Sequence, residues 1–220
     1  MMRCPRCSKA VTHRSDECHS CGYSITDAQA VFGTTMVEMD RLHDAAHCLR
    51  KEERDEVLAI MDRLKDRFPQ LFFCAYLGTL PEKVKMSELG FWLLNHAAVK
   101  GVDLARPNEN AILLLLDTNT QEAGISLGYY VEKFLDENAA TRCLRSARRH
   151  FAKNENGKAL SKVLHKLGRT LSKGSRNILR IQPETRQSVL NPFGATTLPT
   201  LRTVKIATPL VSKREERAIS

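Results

Sequence analysis

Residues 110–117 read NAILLLLD, a run of apolar residues between an asparagine and an aspartate. The run is far shorter than the roughly 20 apolar residues that a membrane-spanning helix needs. A strand that is apolar on both faces belongs in the middle of a sheet whose two sides are both covered. The stretch therefore predicts a buried central strand, and with it a layered fold in which other elements cover the sheet.

The residues before this strand alternate between helical and strand patterns. In residues 51–68, apolar side chains recur at spacings of three and four, which indicates an amphipathic helix that Pro69 ends. Residues 71–77 (LFFCAYL) form a short apolar run that reads as a buried strand. Residues 86–99 return to helical spacing. The segment thus supplies a helix, a strand and a second helix ahead of the central strand.

The alternation continues after the central strand. Residues 118–122 are a polar turn, and residues 123–130 are expected to form a third strand. Residues 138–151 and 158–171 are helical in pattern, with Asn156-Gly157 as the break between them. This order predicts an α/β fold, in which helices can cover both faces of a small sheet.

The N-terminus carries two CxxC hooks separated by ten residues. A hook of this kind turns tightly enough for its two sulfurs to meet one ion, and two hooks complete a tetrahedron. The sequence therefore predicts a structural zinc ribbon over residues 1–26. Gly22 follows the last ligand, where a left-handed turn is common. The expected ligands of the one zinc ion are Cys4, Cys7, Cys18 and Cys21.

The expected zinc site leaves no open position for catalysis, because four thiolates already close it. A module of this size cannot fold by burial alone, so the metal should supply its folding energy. The other cysteines are scattered among apolar neighbours and are expected to be buried, reduced and inert. With no apolar run at the N-terminus, we expect a cytoplasmic protein without a membrane span.

The formal net charge of +9 belongs mainly to the ends of the chain. Residues 1–26 carry +2 and residues 172–220 carry +6, which leaves +1 for residues 27–171. The expected division is a zinc ribbon (1–26), an α/β domain (27–172) and a basic tail (173–220). Prolines with Ser, Thr and Gly between them make disorder the expectation for the tail, although residues 203–210 could pair as a strand.

Three segments, taken in order, resemble the TPM-domain family. They are DAAHCL at 44–49, NAILLLLD at 110–117 and GYYVEKFLDENAA at 128–140. The family pattern is an Asp-x-Ala-x-x-Leu entry, an Asn-Gly-Val-Leu-Leu-Leu strand and a Gly-Tyr-Gly-x-Glu-x-x-Leu-x-Asp-x-x-Ala turn into a helix. The resemblance spans about residues 37–171 and implies an αβα sandwich around a small sheet.

The resemblance also implies chemistry. Members of the family are mostly membrane-tethered or exported, some are linked to photosystem repair, and acid-phosphatase activity and divalent-cation binding are reported for them. The family's acidic and glycine positions fall on Asp44, Gly128, Glu132 and Asp136. The resemblance therefore implies a second cation site for calcium or magnesium, held by Asp44, Glu132 and Asp136, since hard cations take carboxylate oxygens.

Several departures from the family pattern argue against catalysis. Ala111 and Tyr130 replace two of the pattern's glycines. Residues 119–121 and Ser126 stand where the family has an Arg-Arg pair and a Glu. These losses weaken the phosphatase interpretation, because an arginine could hold phosphate and a glutamate could hold a cation. Glu132 and Asp136 would then simply be acids at a helix start, which the helix dipole favours.

A cluster of arginines in the first of the two C-terminal helices is a candidate anion-binding face. Its members, Arg142, Arg145, Arg148 and Arg149, either form a solvated surface or contact an acidic partner such as nucleic acid. The function we expect is a zinc-ribbon protein whose divergent TPM-like domain binds a protein partner. A divalent-cation-dependent phosphatase is the alternative, and a nucleic-acid-binding protein is the second. Enzyme activity is left open and disfavoured.

Overall fold

A five-stranded mixed sheet forms the centre of the fold. The structure is a computed structural model that describes residues 2–11, 15–100, 110–128, 130–181 and 202–206. The strands are β1 (Met2–Arg3), β2 (Ala10–Val11), β3 (Val37–Met39), β4 (Leu42–Asp44), β5 (Phe72–Gly78), β6 (Ala97–Val99), β7 (Ala111–Asp117), β8 (Glu122–Leu127) and β9 (Arg202–Ile206). The helices are α1 (Ile25–Phe32), α2 (Lys51–Arg67), α3 (Met86–His96), α4 (Glu137–Ser146), α5 (Arg148–Phe151) and α6 (Asn156–Ile181).

The central sheet has the strand order β4-β5-β7-β8-β9. The first three strands are parallel, whereas β8 pairs antiparallel with β7 and β9 pairs antiparallel with β8. β7 lies between two partners, and all seven of its residues are buried. The prediction of a central strand that is apolar on both faces is therefore confirmed.

Alternate side chains of β7 enter two different hydrophobic cores. Ile112, Leu114 and Leu116 pack with residues of α2, α4 and α6. Leu113 and Leu115 pack on the opposite face with α3 and with residues of the N-terminal segment. The period of two along the strand thus divides the interior into two layers of side chains. Helices flank the sheet on both faces, as the α/β prediction requires.

Two predicted helices differ in their extent from the observed ones. Residues 86–99 were expected to be one helix, but α3 ends at His96 and Ala97–Val99 form β6, which pairs in parallel with β3. Residues 138–151 were expected to be continuous, but the helix is interrupted at Ala147, whose φ and ψ are −102° and 1°. In the first case β3, about sixty residues earlier in the chain, pairs with Ala97–Val99 and takes up their backbone hydrogen bonds. Local periodicity cannot predict a partner so far away in the sequence.

The Asn156-Gly157 pair begins a helix instead of separating two. Both residues are buried at the start of α6, and a Cβ on Gly157 would lie 2.5 Å from Cβ of Glu53 in α2. A second glycine, Gly168, lies equally close to Leu64 of the same helix. Glycines at these places let α6 and α2 approach each other closely.

The segment expected to be an unstructured tail contains regular structure in its described part. α6 continues to Ile181, past the predicted boundary at residue 172, and Arg202–Ile206 form β9 on the edge of the central sheet. For residues 203–210 the sequence left two possibilities, disorder and a strand, and Arg202–Ile206 form a strand. The rest of the predicted tail, residues 182–201 and 207–220, lies outside the described residues.

Candidate metal centre

The four cysteines of the two N-terminal hooks converge on one point. Their sulfur atoms all lie within 4.8 Å of one another. The Sγ atoms of Cys4 and Cys21 are 3.6 Å apart, as are those of Cys7 and Cys18. In a tetrahedron with Zn–S bonds of about 2.3 Å the sulfurs are about 3.8 Å apart. The cluster therefore has the dimensions of a four-thiolate metal site and could hold a metal ion.

Backbone hydrogen bonds shape each hook. In the first hook, Cys4 accepts from the N–H of Ser8 and donates to the carbonyl of Lys9. In the second, the carbonyl of Cys18 accepts from the N–H groups of Cys21 and Gly22. Gly22 has a φ of 69°, so the predicted left-handed turn after the last ligand is confirmed.

The pKa values of the thiols differ sharply within the cluster. Burial raises the pKa of Cys4 to about 12. Burial also opposes ionisation of Cys18, but hydrogen bonds from the N–H groups of Ser20 and Cys21 and from neighbouring thiols lower its pKa to about 6. Metal binding would release the thiol protons, because the thiolate is the form that binds a metal ion.

The first hook also docks on the α/β domain. Ser87 Oγ donates to the carbonyl of Pro5 across 2.6 Å, and Lys85 Nζ donates to the carbonyl of Arg6. Both donors lie at the N-terminal end of α3. Cys4, Cys18 and Tyr23 belong to the same hydrophobic core as α3. The cysteine module is consequently packed into the second core and does not form a core of its own.

Arg6, which lies between two of the cysteines, makes the strongest polar link across this contact. Its Nε is 2.8 Å from Oε1 of Glu88, a residue of α3 with 7% of its surface exposed. Its guanidinium lies 4.3 Å from the ring centroid of Tyr23 and 3.6 Å from Asp27. Hydrogen bonding to Glu88 raises the pKa of Arg6 above its ordinary value. The sequence analysis did not predict the pair between Arg6 and Glu88. Its signal in the sequence was the arginine inside the first CxxC hook.

Two of the three carboxylates implied as a second cation site, Asp44 and Asp136, accept hydrogen bonds from nearby backbone N–H groups. Asp44 has a side chain that is only 1% exposed and accepts from the N–H groups of Cys48 and Leu49, each across 3.0 Å. It also lies 3.5 Å from Arg54. Its oxygens are thus engaged in holding the turn between β4 and α2.

Asp136 and Glu132 lie in a different part of the fold. Asp136 is the N-cap of α4 and accepts from the N–H of Ala139 across 2.6 Å, and Glu132 is in the 3-10 turn Val131–Lys133. Gly128 follows β8, and its N–H donates to the carbonyl of Ala111. Within the described ranges, Asp44, Glu132 and Asp136 do not form a group of converging metal ligands; the four cysteines do.

The comparisons with known proteins identify one family. The family model of the TPM domain matches residues 42–170, more than half of the chain. The chain belongs to the TPM-domain family. No curated protein and no solved structure gives a significant match.

One acid of the TPM domain was missed as a structural group by the sequence interpretation. Asp117 ends β7 and is 5% exposed. It accepts from the N–H of Asn119 and from Thr120 Oγ1 across 3.0 and 2.7 Å, and more weakly from the N–H of Leu80. An acid closing an apolar run was the visible signal, and its burial explains why the turn after the central strand is fixed.

The predicted anion-binding arginines of the TPM domain lie on its outer surface. Arg142 and Arg145 project from α4, and Arg148 and Arg149 from the short α5; all four are exposed.

None of the helices in the described residues combines the length and the hydropathy needed to span a bilayer.

Proposed function

We propose that the four cysteines hold one structural zinc ion and that the chain binds a macromolecular partner and does not turn over a substrate. Zinc fits the cluster because a set of four thiolates is the donor set of structural zinc sites. Such a site is closed, so no position is left for a substrate or an activated water. The metal would act through folding, by fixing the two hooks against α3.

The observation that carries the proposal is that three acidic side chains, those of Asp44, Asp117 and Asp136, accept internal hydrogen bonds. A catalytic hard-cation site needs several carboxylate oxygens free to face one ion. Asp44 and Asp117 are each engaged by backbone N–H groups of the turn that follows their own strand, and Asp136 caps a helix. These contacts support a scaffold more than a phosphatase.

The proposed division of labour follows the predicted regions. Residues 1–26 form the zinc ribbon, residues 27–172 form the TPM-like domain, and the basic segment from residue 173 onward extends it. The ribbon and the domain share a core, so we expect them to unfold together. A protein partner or a nucleic acid would then meet a rigid, metal-braced surface.

The phosphatase alternative keeps one argument, which is the family itself: the matching model is named TPM phosphatase. The deciding experiment is an assay of p-nitrophenyl phosphate hydrolysis by zinc-loaded protein with calcium, magnesium or manganese at millimolar concentration. We expect a hydrolysis rate no higher than that of buffer without protein, and no heat of cation binding in calorimetry. Cation-dependent turnover that Asp44→Asn or Asp136→Asn abolishes, while the fold remains intact, would overturn the proposal.

A further inference from the structure

The C-terminal helices carry an unusual concentration of positive charge. Residues 137–181, which form α4, α5 and α6 and are here called the basic hairpin, contain twelve Lys/Arg and two Asp/Glu, a formal net charge of +10. The other residues of the chain contain 22 Lys/Arg and 23 Asp/Glu, a net of −1. The basic hairpin therefore accounts for the whole positive charge of the protein, and the boundary at residue 172 had divided it.

The cations of α6 form one continuous stripe. Lys158, Lys162, Lys166, Arg169 and Lys173 recur at intervals of three and four, and all of them are exposed. The opposite side of the helix is apolar, and its buried members are Leu160, Val163, Leu164, Leu167 and Leu171. With about 1.5 Å of rise per residue, the stripe is about 22 Å long.

α4 lies beside α6 and widens the stripe into a face. Cys143 Sγ is 3.7 Å from Thr170 Oγ1, which fixes the two helices next to each other. Arg142 is next to Cys143 in the chain, and Lys166 lies one helical turn before Thr170, so these two cations lie near the seam. Packed helix axes are about 8–10 Å apart, so the face is at least two rows of cations wide.

The fold does not neutralise this face within the part of the chain that the structure describes. The ion pairs found on the basic hairpin involve Glu155, which contacts His150 and Lys158, and Glu137, which contacts Arg3. Arg142, Lys162 and Lys166 have no ion pair among the described residues. Like charges four residues apart on one helix, such as Lys158, Lys162 and Lys166, destabilise it. The pattern is therefore unfavourable for folding alone.

We infer that the exposed face of the basic hairpin binds the phosphate backbone of a nucleic-acid duplex. This inference names the partner class of the proposed function and rests on it. A duplex carries one negative charge per about 1.7 Å of axis, so a face about 22 Å long spans about six base pairs. Lys and Arg in such a face contact phosphates and position the protein without reading the sequence.

Two other anionic partners fit the face less well. A membrane-surface helix inserts apolar side chains between headgroups, but the apolar side of α6 is buried. Among the described residues, the large exposed hydrophobics, Val31, Met36 and Val37, lie in and after α1, outside the basic hairpin. An acidic protein would need apolar or aromatic anchors at the centre of the interface, and the exposed positions of the α6 stripe are cationic.

The test is a fluorescence-anisotropy titration of the zinc-loaded full chain against a labelled DNA duplex of about 20 base pairs, repeated between about 50 and 200 mM salt. We expect log K to fall linearly with log salt, with a slope of about −4 or steeper. The double variant Lys162→Gln/Lys166→Gln should weaken binding at least about ten-fold and make the slope shallower by about 2.

The matched control is Lys83→Gln/Lys100→Gln, which removes the same charge from exposed positions outside the basic hairpin. It should leave affinity and slope close to wild type, and both double variants should keep the wild-type zinc content and melting temperature.

Absent binding at low salt, or an equal loss in the two double variants, would overturn the inference, as would binding to phosphatidylserine vesicles or to polyglutamate in preference to the duplex. None of these results bears on the zinc content or on the phosphatase assay, so the proposed function is tested separately.

Discussion

Nε of Arg6 donates to Oε1 of Glu88 across 2.8 Å and joins a cysteine hook to α3, although 82 residues separate the two in the chain. Glu88 is almost fully buried, whereas Arg6 remains partly exposed. The carboxylate of the pair is therefore largely removed from solvent, whereas water and ions can screen the charge of Arg6. Through it, the position of the metal ligands and the packing of α3 depend on each other.

Replacement of Glu88 by Gln should destabilise the zinc-loaded protein by about 1–2 kcal/mol, measured by urea unfolding. The value is below that of a fully buried pair because solvent screens Arg6. The control is Asp62→Asn, which breaks the pair between Arg41 and Asp62. Asp62 is 63% exposed there, so that loss should be below about 1 kcal/mol. Equal losses in the two variants would contradict the docking role of Arg6.

Removal of the metal should change the environment of Trp92. This residue is the single tryptophan of the chain, donates from Nε1 to the carbonyl of Gly33 and lies in the core that contains Cys4 and Cys18. A chelator should shift its fluorescence emission to longer wavelength, and added zinc should restore it.

The variant Cys18→Ser should show the shifted emission without chelator, because the cluster has lost a ligand. Cys48→Ser, which removes a thiol outside the cluster, is the control and should behave as wild type. An emission maximum that does not change when chelator is added would show that the module folds without its metal.

The thiol of Cys48 should react only at high pH. Burial and the charge of Asp44 raise its pKa to about 11, and alkylation requires the thiolate. In the zinc-loaded protein, iodoacetamide should leave Cys48 unmodified near pH 7, and the rate should increase as the pH approaches about 11. Cys74, whose pKa burial raises to about 12, should react more slowly at every pH. Peptide mass spectrometry measures both sites, and rapid modification of Cys48 at neutral pH would contradict the expectation.

Gly174 tests the extension of α6 beyond the predicted boundary. A Cβ at this position would lie 2.6 Å from the carbonyl oxygen of Phe134. Gly174→Ala should therefore destabilise the protein by about 1–3 kcal/mol, because α6 must move away from the backbone at Phe134. This loss should outweigh the preference of about 1 kcal/mol that alanine has over glycine in a helix. Lys173→Ala, at the exposed neighbouring position, should have little effect on the melting temperature. A stabilising Gly174→Ala would show that α6 does not pack here.

Local sequence patterns predicted the parts of the fold whose causes are local. The apolar run of β7 and the helical spacing of α2 each reflect burial on a known period, and the CxxC spacing reflects the geometry of one ion. Contacts between distant residues left no such pattern. β6 exists because β3 pairs with it, and Gly157 lies in the first turn of α6 at the point where a Cβ would meet Glu53 of α2.

The charge distribution depended on where the predicted regions were divided. Counted along the predicted regions, residues 27–171 appear balanced, because the acids of the earlier elements offset the cations of α4–α6. The helices predicted over residues 138–151 and 158–171 already contain eight Lys/Arg and no Asp/Glu. The structure adds that α6 continues to Ile181, with three more cations, and lies beside α4. The same applies to the carboxylates: their residue types predicted a cation site, and only their hydrogen-bond partners reveal that Asp44 and Asp136 hold a turn and a helix.

Native mass spectrometry of the intact chain, purified without added metal or chelator, tests the central claim most directly. We predict one zinc ion per chain, retained in Asp44→Asn and in Asp136→Asn and lost in Cys18→Ser. A chain without zinc, or one with a tightly bound calcium or magnesium that disappears in Asp44→Asn, would contradict a closed structural zinc site in a non-catalytic TPM-domain protein.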